Sequence, residues 1–350
     1  MGAKRWCAAA FAVAALGVAG CGSSSDDGGS DTAAARPATN VTAPKAAETV
    51  RFGPVEAGSG RGLKLGYVSA AESVTFNHLV TVGVQRAARA AGAELVTCDS
   101  QADAQKALDC VKSFKTQGVD GYLLYQLAAD SSQQICAAGP QVPVIGVSIE
   151  QEPCQRAFLA VDDTAVGFAA GRDLGEFFKQ RFDCDYDAYV SLEYSPAGRS
   201  NTDRMQGYAD GFASVCGEIH GKRKLDVATT DAARQQFNDV LTTLPGRDKI
   251  VTVGIADFVV QGALAAAKNA GRADDVYVSA QGADPSAHCD IKNDPQWIND
   301  AAYLPERWGE IGIPNLIRLI RGERVQADLN VPFQIVDSET IEDAYPALKC

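Results

Sequence analysis

The segment AQKALDCVKSFKTQGVDGYLLY, residues 104–125, shows the pattern that decides the fold. In its first half, the apolar residues recur at the spacing that puts them on one face of a helix: Ala104, Ala107, Leu108, Val111 and Phe114. Gly118 follows at the position where a residue in the left-handed conformation ends a helix. The run 121–125 is then apolar without alternation, which is typical of a strand that is buried on both faces. The segment therefore predicts a helix that leads into a buried strand.

The same alternation of strand and helix continues from residue 63 onward. Strands are predicted at 63–69, 94–97, 121–125, 142–148, 188–192, 225–228, 250–255 and 276–280. Helices are predicted at 77–91, 104–117, 165–180, 202–215, 232–244, 258–270 and 306–320. This alternation predicts an α/β fold with parallel sheets that helices cover on both faces. Because about 290 residues exceed one hydrophobic core, we expect two similar doubly wound lobes, with a boundary near 161–163.

The amino terminus resembles a bacterial lipoprotein signal peptide. Lys4 and Arg5 precede the apolar run 6–18, and small residues then lead to Cys21. This pattern predicts a signal peptide at residues 1–20, cleavage before Cys21 and a lipid anchor on that cysteine. The protein would then lie outside the cytoplasm, in the cell envelope, tied to a membrane. An uncleaved transmembrane anchor is the alternative, although the apolar run is shorter than the roughly 20 residues of a spanning helix.

Residues 21–61 have the composition of a disordered tether. They are rich in Gly, Ser, Asp, Ala and Pro and contain few large apolar residues. Such a segment cannot bury enough apolar surface to fold by itself. We therefore expect the folded part of the chain to begin near residue 62.

Cysteine usage supports an exported protein. Eight cysteines remain when Cys7 and Cys21 are set aside, and an even number in an exported chain predicts four disulfides. Cysteines that are neighbours in sequence lie close together in folds of alternating strands and helices. We therefore predict the pairs Cys98–Cys110, Cys136–Cys154, Cys184–Cys216 and Cys289–Cys350. A metal site is not expected, because the sequence has no Cys-x-x-Cys pair and its three histidines are scattered.

Charge and motif content argue against several classes of function. The formal net charge is −12, and there is no basic stripe of the kind that nucleic-acid binding requires. The sequence contains no Gly-x-Ser-x-Gly elbow, no Walker loop and no His-Glu-x-x-His, and no glycine fingerprint follows the first predicted strand. We therefore expect no cofactor and no enzyme activity, with an exported hydrolase as the alternative.

Several short stretches together make the chain resemble the type I periplasmic binding proteins of the ribose-binding kind, which feed ABC importers. They are LGYVS (65–69), GVDGYLLY (118–125), VPVIGV (142–147), RMQGY (204–208), GALAAA (262–267) and YLPERWG (303–309). The resemblance implies two lobes joined by three crossovers, near Val161, Ala302 and Gly322. The implied amino-terminal lobe comprises 62–161 and 303–322, and the carboxy-terminal lobe comprises 162–302 and 323–350.

The resemblance also implies a function in solute capture. A protein of this kind would hold a small ligand, a sugar or sugar-like compound, between its lobes and deliver it to the permease of an ABC transporter. We expect a monomer, with the membrane contacted through the lipid anchor. A sensor that presents the closed form to a membrane receptor is the alternative, since both functions use the closed lobes as the signal.

Candidate ligand residues follow the ends of the predicted strands, where loops converge in parallel sheets. They are Phe76, Asn77, Tyr125, Gln126, Ser148, Glu150, Arg204, Asp257, Gln281 and Tyr303. The resemblance to the ribose-binding kind of protein implies that Phe76 matches an aromatic ligand residue. It also implies that Arg204 matches an arginine that reaches the ligand from the second lobe. Ser148 begins the pair that stands where sugar binders usually carry Asp-Arg. Because this clamp is missing, we expect an unusual ligand with fewer charged contacts to its hydroxyls.

Overall fold

Two six-stranded sheets organise residues 41–45 and 47–350, the part of the chain that the computed structural model describes. These residues belong to one compact unit. The predicted signal peptide, residues 1–20, and the predicted lipidation site, Cys21, lie outside the described residues. Within the described ranges, no helix combines the length and the apolar character that crossing a membrane requires.

Strands and helices alternate along the chain, as the sequence predicts. In chain order, the strands are β1 Lys64–Ser69, β2 Glu94–Asp99, β3 Gly121–Leu124, β4 Val144–Val147, β5 Gln155–Ala160, β6 Ala188–Glu193, β7 Lys222–Asp226, β8 Ile250–Gly254, β9 Val276–Gly282, β10 Trp297–Ala302, β11 Asp328–Asn330 and β12 Gln334–Val336. The helices are α1 Thr75–Ala91, α2 Ala104–Gln117, α3 Ser132–Ala138, α4 Asp163–Phe182, α5 Arg199–Cys216, α6 Thr230–Thr243, α7 Asp257–Asn269, α8 His288–Asn293, α9 Gly309–Ile320 and α10 Ile341–Ala344. Gly118, with a φ of 65°, ends α2 in the left-handed conformation that its position predicts.

The two sheets share one strand order, which makes the two parts of the chain similar lobes. The first sheet has the order β2–β1–β3–β4–β5–β11, and all its strand pairs are parallel. The second sheet has the order β7–β6–β8–β9–β10–β12, and only β12 is antiparallel to its neighbour. Strands β8 and β9 are buried along their whole length, as expected when helices cover both faces. The prediction of two doubly wound lobes is therefore confirmed.

The chain passes between the lobes three times. The first crossover follows β5, and the second follows β10, after which α9 packs against α1 and β3 of the first lobe. The sequence predicts the third crossover near Gly322, and this position is wrong. Strand β11 still pairs with β5 in the first sheet, and its Leu329 is buried in the core of the first lobe. Only residues 331–333 connect β11 to β12 in the second sheet.

Four described strands, β5, β10, β11 and β12, were missed by the sequence prediction for an identifiable reason. Strand β5 begins with Gln155 and Arg156, which interrupt the apolar pattern. Strand β10 contains Asn299 and Asp300, and both are fully buried although they are polar. Strands β11 and β12 have only three residues each, which is too short for a periodic pattern.

The predicted tether, residues 21–61, ends earlier than its composition indicates. Thr49 forms a parallel bridge with Asn330 at the edge of the first sheet. The ring of Phe52 packs against the core of the first lobe and lies 4.5 Å below the guanidinium of Arg307. Residues 49–61 therefore belong to the folded part, because a few apolar side chains suffice to cover a core that already exists.

All four predicted disulfides are present among the described residues. The pairs Cys98–Cys110, Cys136–Cys154, Cys184–Cys216 and Cys289–Cys350 have Cα–Cα distances of 5.2 to 5.7 Å. The third pair joins the ends of α4 and α5, and the fourth ties the last residue of the chain to α8. By closing loops, such bonds stabilise the fold mainly through restriction of the unfolded chain.

Helices α4 and α5 pack with their backbones in close contact. Gly171 on α4 lies against the carbonyl oxygen of Tyr208, and Gly211 on α5 lies against the carbonyl oxygen of Phe168. A Cβ atom at either glycine would collide with that oxygen. This packing fixes the relative position of the polar side chains that α4 and α5 carry in their amino-terminal halves.

Replacement of Gly171 by alanine should destabilise the protein. The added methyl group meets backbone that cannot move easily, so we expect the free energy of unfolding to fall by about 2 kcal/mol in chemical denaturation. Gly53→Ala is the control, because a Cβ atom at Gly53 meets no atom within 4 Å. Its effect should stay within about 0.5 kcal/mol. Equal effects of the two substitutions would contradict the role assigned to the helix contact.

Candidate functional site

A cavity of about 440 Å³ lies between the lobes, at the carboxyl ends of the parallel strands. The first lobe contributes the start of α1 and the loops after β3 and β4. The second lobe contributes the loops after β6, β7, β8 and β9 and the start of α5. This is the edge at which open α/β sheets bind ligands, and the volume suits a small molecule.

Eight of the ten predicted ligand residues line this cavity. They are Phe76, Asn77, Tyr125, Ser148, Arg204, Asp257, Gln281 and Tyr303. The fold brings them together from both lobes because each follows, or lies close to, the end of a parallel strand. The two remaining predicted residues, Gln126 and Glu150, do not line the cavity, contrary to the sequence prediction.

Gln126 supports a loop behind the cavity wall. Its buried Nε2 donates to Oε1 of Gln151 at 3.0 Å and to Oγ of Ser132 at 3.1 Å. Successive side chains of an extended segment point in opposite directions, so Tyr125 faces the cavity and Gln126 faces away from it. The sequence shows that a strand ends here but does not show which of the two residues faces the ligand.

Glu150 contacts the opposite lobe instead of the cavity. Its Oε1 lies 3.2 Å from NH1 of Arg199 at the start of α5. Beside this pair, Oγ of Ser200 donates to the backbone carbonyl of Ser148 at 3.0 Å. Both contacts join the loop after β4 of the first lobe to α5 of the second lobe. The two lobes therefore touch each other beside the cavity.

Aromatic side chains cover one side of the cavity. Phe76 packs edge-on against Tyr303 and Trp308, with ring centroids 6.1 and 5.6 Å apart. The indole N–H of Trp308 donates to the backbone carbonyl of Tyr303 at 3.0 Å and holds the two residues together. Trp308 lines the cavity but was not predicted as a ligand residue, because it follows a short turn after Tyr303 and not a strand end. These rings offer a flat apolar surface to a small ring compound.

Arg204 contributes to the cavity wall as one half of a buried ion pair. Its Nε and NH2 lie 2.8 and 2.6 Å from Oδ1 of Asp163, and its NH1 donates to the carbonyl oxygen of Ile255 at 2.8 Å. Burial raises the pKa of Asp163, and the charge of Arg204 opposes this rise. The charge of Arg204 is thus balanced inside the protein. Its remaining N–H groups can still donate to an uncharged ligand.

Asp163→Asn should destabilise the protein strongly, because it leaves the charge of Arg204 buried without a partner. We expect the free energy of unfolding, measured by chemical denaturation, to fall by about 3 kcal/mol or more. The matched control is Asp231→Asn, which breaks an exposed pair with Arg234 at 3.4 Å. That substitution should change the stability by less than about 1 kcal/mol. Similar small effects would show that Arg204 does not depend on Asp163.

Two polar atoms of the second-lobe wall lack a hydrogen-bond partner within the described part of the chain. They are Nε2 of Gln281, a donor, and Oδ1 of Asp257, an acceptor. Both residues line the cavity, with 2% and 3% of their surface exposed. The hydroxyl of Tyr303 donates to Oε1 of Gln281 and so orients the amide. Neither atom is exposed at the surface of the cavity, so each remains a cost of about 1–3 kcal/mol to the stability of the fold.

Two of the histidines, His78 and His288, have contacts within the fold. Nδ1 of His78 lies 2.9 Å from Glu72, and Nε2 of His288 lies 2.8 Å from the carbonyl oxygen of Ala283. Among residues 41–45 and 47–350, no group of three or more His, Cys, Asp or Glu side chains could hold a metal ion.

Sequence comparison gives one family match. A family model described as a periplasmic binding protein domain matches residues 65–324. The matched region begins in β1 and extends beyond α9, so it includes both lobes and the cavity between them. No match was found among curated proteins.

Solved structures share the two-lobed fold at low sequence identity. A solute-binding protein of an ABC transporter from Mycobacterium smegmatis, with bound glycerol, is 21% identical, with a TM-score of 0.70 over 80% of this chain and 96% of that chain. A periplasmic solute-binding protein of an ABC transporter from Actinobacillus succinogenes, with bound D-allose, is 18% identical, with a TM-score of 0.68 over 80% and 99%. The fructose-binding periplasmic domain of a hybrid two-component system is 18% identical, with a TM-score of 0.70 over 81% and 94%.

Proposed function

The chain belongs to the periplasmic binding protein family, and from this premise we propose that it captures a small, neutral, hydroxylated ligand outside the cytoplasm. Proteins of this family bind solutes and do not transform them, so the chain is a binding protein and not an enzyme. In the proposal, the ligand is a sugar or a sugar-like compound, and the closed protein delivers it to an ABC permease.

The polar and aromatic residues that line the cavity carry the proposal for the ligand. The side chains of Asn77, Arg204 and Thr230 line it and can donate to or accept from hydroxyl groups. The C–H face of a sugar ring can pack against the ring of Phe76 on the opposite side. The glycerol and D-allose bound in the similar structures support this ligand class.

The charges around the cavity favour a neutral ligand over an anion. The one arginine of the described wall, Arg204, is already paired with Asp163. The wall also contains Asp257 and Asp284, which would repel a carboxylate or a phosphate. A compound that binds through hydroxyl groups avoids this repulsion.

In this proposal, the membrane partner recognises the closed state of the two lobes. A ligand that touches both lobes adds contacts only in the closed state and shifts the population toward it. The sequence pattern at Cys21 supports a lipid anchor that keeps the protein at the membrane. A ligand sensor is the second candidate function, supported by the similarity to the fructose-binding domain of a two-component system.

A ligand panel tests the proposed function directly. The chain without residues 1–20 and with Cys21→Ser is melted with sugars, polyols, nucleosides, amino acids and aromatic acids. A ligand at 100 times its Kd adds about 2.7 kcal/mol of stability, which shifts the Tm measurably. We expect sugars or polyols to shift the Tm and acidic compounds to leave it unchanged. A shift by carboxylates alone, or turnover of any compound, would contradict the proposal.

The ion pair between Glu150 and Arg199 should contribute to ligand affinity, because it joins the two lobes. In a double-mutant cycle with Glu150→Gln and Arg199→Gln, we expect a coupling of about 0.5 kcal/mol, about twofold in Kd, that decreases in high salt. Titration calorimetry with a ligand from the panel measures it.

The chain offers a matched control for this cycle. Arg199 also pairs with Asp203 at 3.4 Å within α5, and this pair does not cross the lobes. A cycle of Arg199→Gln with Asp203→Asn should therefore show no coupling in ligand affinity. Equal coupling in the two cycles would mean that the pair with Glu150 has no part in closure.

A further inference from the structure

Residues 48–55, which precede the first strand, form a strap at the edge of the first lobe. The backbone N–H of Val50 donates to the carbonyl oxygen of Asn330 at 2.8 Å, and Nδ2 of Asn330 donates to the carbonyl oxygen of Glu48 at 3.3 Å. The apolar side chains of the strap pack against the core of the first lobe. The strap is thus attached by its backbone to the edge strand β11 and by its side chains to the core.

The strap touches two of the three segments that connect the lobes. Asn330 is the last residue of β11, and the connection 331–333 to the second lobe begins directly after it. The ring of Phe52 in turn lies 4.5 Å from the guanidinium of Arg307. Arg307 belongs to residues 303–308, which follow β10 and return the chain to the first lobe. The strap therefore contacts the first lobe at two of its crossovers.

Residues 303–308 also form part of the cavity wall. Tyr303 and Trp308, at the two ends of this segment, line the cavity. Between them, Leu304 has a φ of 51°, in the left-handed region that a bulky side chain avoids. A residue keeps such a conformation only where the surrounding structure holds it. The position of the two rings therefore depends on the contacts that fix this segment.

Side chains of α1, α9 and the strap hold the segment against the first lobe. NH2 of Arg86 on α1 donates to the carbonyl oxygen of Glu306 at 2.6 Å. Arg307 forms an ion pair with Glu310 on α9 at 2.9 Å. The guanidinium of Arg307 also lies over the ring of Phe52, an arrangement in which the cation is attracted by the face of the ring.

We propose that Phe52 is a positioning residue of the ligand site, which holds residues 303–308 where Tyr303 and Trp308 form the cavity wall. This inference rests on the proposed capture of a ligand. Without the ring of Phe52, the segment occupies this position for a smaller fraction of the time, and the apparent affinity falls by the same fraction. The strap thus contributes to binding although it does not line the cavity.

Fluorine NMR tests the positioning role without any ligand. The chain without residues 1–20 and with Cys21→Ser contains two tryptophans, Trp297 in the core of the second lobe and Trp308 in that of the first. Both are labelled as 5-fluorotryptophan, and Trp297→Phe assigns the two signals. Phe52→Ala should shift or broaden the signal of Trp308 and leave that of Trp297 unchanged. An unchanged Trp308 signal would overturn the inference.

Titration calorimetry measures the effect on binding with the sugar or polyol that gives the largest Tm shift, beginning with D-allose, D-fructose and glycerol. Phe52→Ala should weaken binding about fivefold. Phe52→Tyr keeps a ring below the guanidinium and should bind within about twofold of the original affinity. Phe52→Leu keeps an apolar contact with the core but has no ring face, so it should bind about threefold more weakly. This variant decides the question if the alanine variant does not fold.

Leu95→Ala is the matched control for the loss of apolar contact. Leu95 is also partly buried against the core of the first lobe, but it lies on β2, at the edge of the sheet opposite to β11. The substitution should lower the Tm and leave both the affinity and the Trp308 signal unchanged. Equal losses of affinity in Leu95→Ala and Phe52→Ala would assign Phe52 to the general stability of the lobe and overturn the inference.

The two measurements separate this inference from the proposed function. If a sugar or polyol binds with the same affinity to all Phe52 variants, the inference fails and ligand capture stands. If no sugar or polyol binds, the proposed function fails, and the fluorine signal of Trp308 still decides whether Phe52 positions the cavity wall.

Discussion

The buried ion pair between Arg204 and Asp163 is the contact on which the second-lobe wall of the cavity depends. It forms because α4 and α5 approach each other closely through glycines, so that side chains near their amino termini meet. A buried charge without its partner costs several kcal/mol, so neither member can be lost alone. The cavity wall therefore contains a guanidinium whose charge is already balanced. For the proposed hydroxylated ligand, this places the weight of recognition on the direction of hydrogen bonds.

The first lobe contributes apolar rings and a rigid loop to the other side of the cavity. The rings of Phe76 and Trp308 form the apolar side, and the loop after β4 carries the residues that touch α5. This loop is held by the fully buried Gln151, which exchanges hydrogen bonds with Gln126, and by the disulfide Cys136–Cys154. A loop that is already fixed loses little conformational entropy when the lobes meet. The contacts between the lobes, which are few, can then hold the loop against α5 at little entropic cost.

Local patterns in the sequence predicted what depends on neighbours along the chain. The apolar spacing of α2 and its terminal Gly118 predicted that helix with its observed bounds, and sequence proximity predicted the four disulfides. Strand ends predicted eight residues of the cavity wall. The sequence did not reveal Asp300, because a buried aspartate inside a strand contradicts the apolar pattern by which strands are recognised. Nor did it reveal the direction of Gln126, because side-chain direction at a strand end depends on the tertiary fold.

The buried polar groups behind the second-lobe wall of the cavity make the stability of the protein depend on pH. Asp257 and Asp300 have pKa values in the folded protein above the ordinary value of about 3.9. Protonated carboxyl groups therefore favour the folded state, and this stability is fully present below pH 4 and is lost as the pH rises through about 6. Above pH 6, the carboxylate of Asp257 is ionised and buried, and the backbone N–H groups of Asp257 and Asp284 offset part of that cost. The unpaired atoms of Asp257 and Gln281 thus lower the stability of the wall behind the cavity.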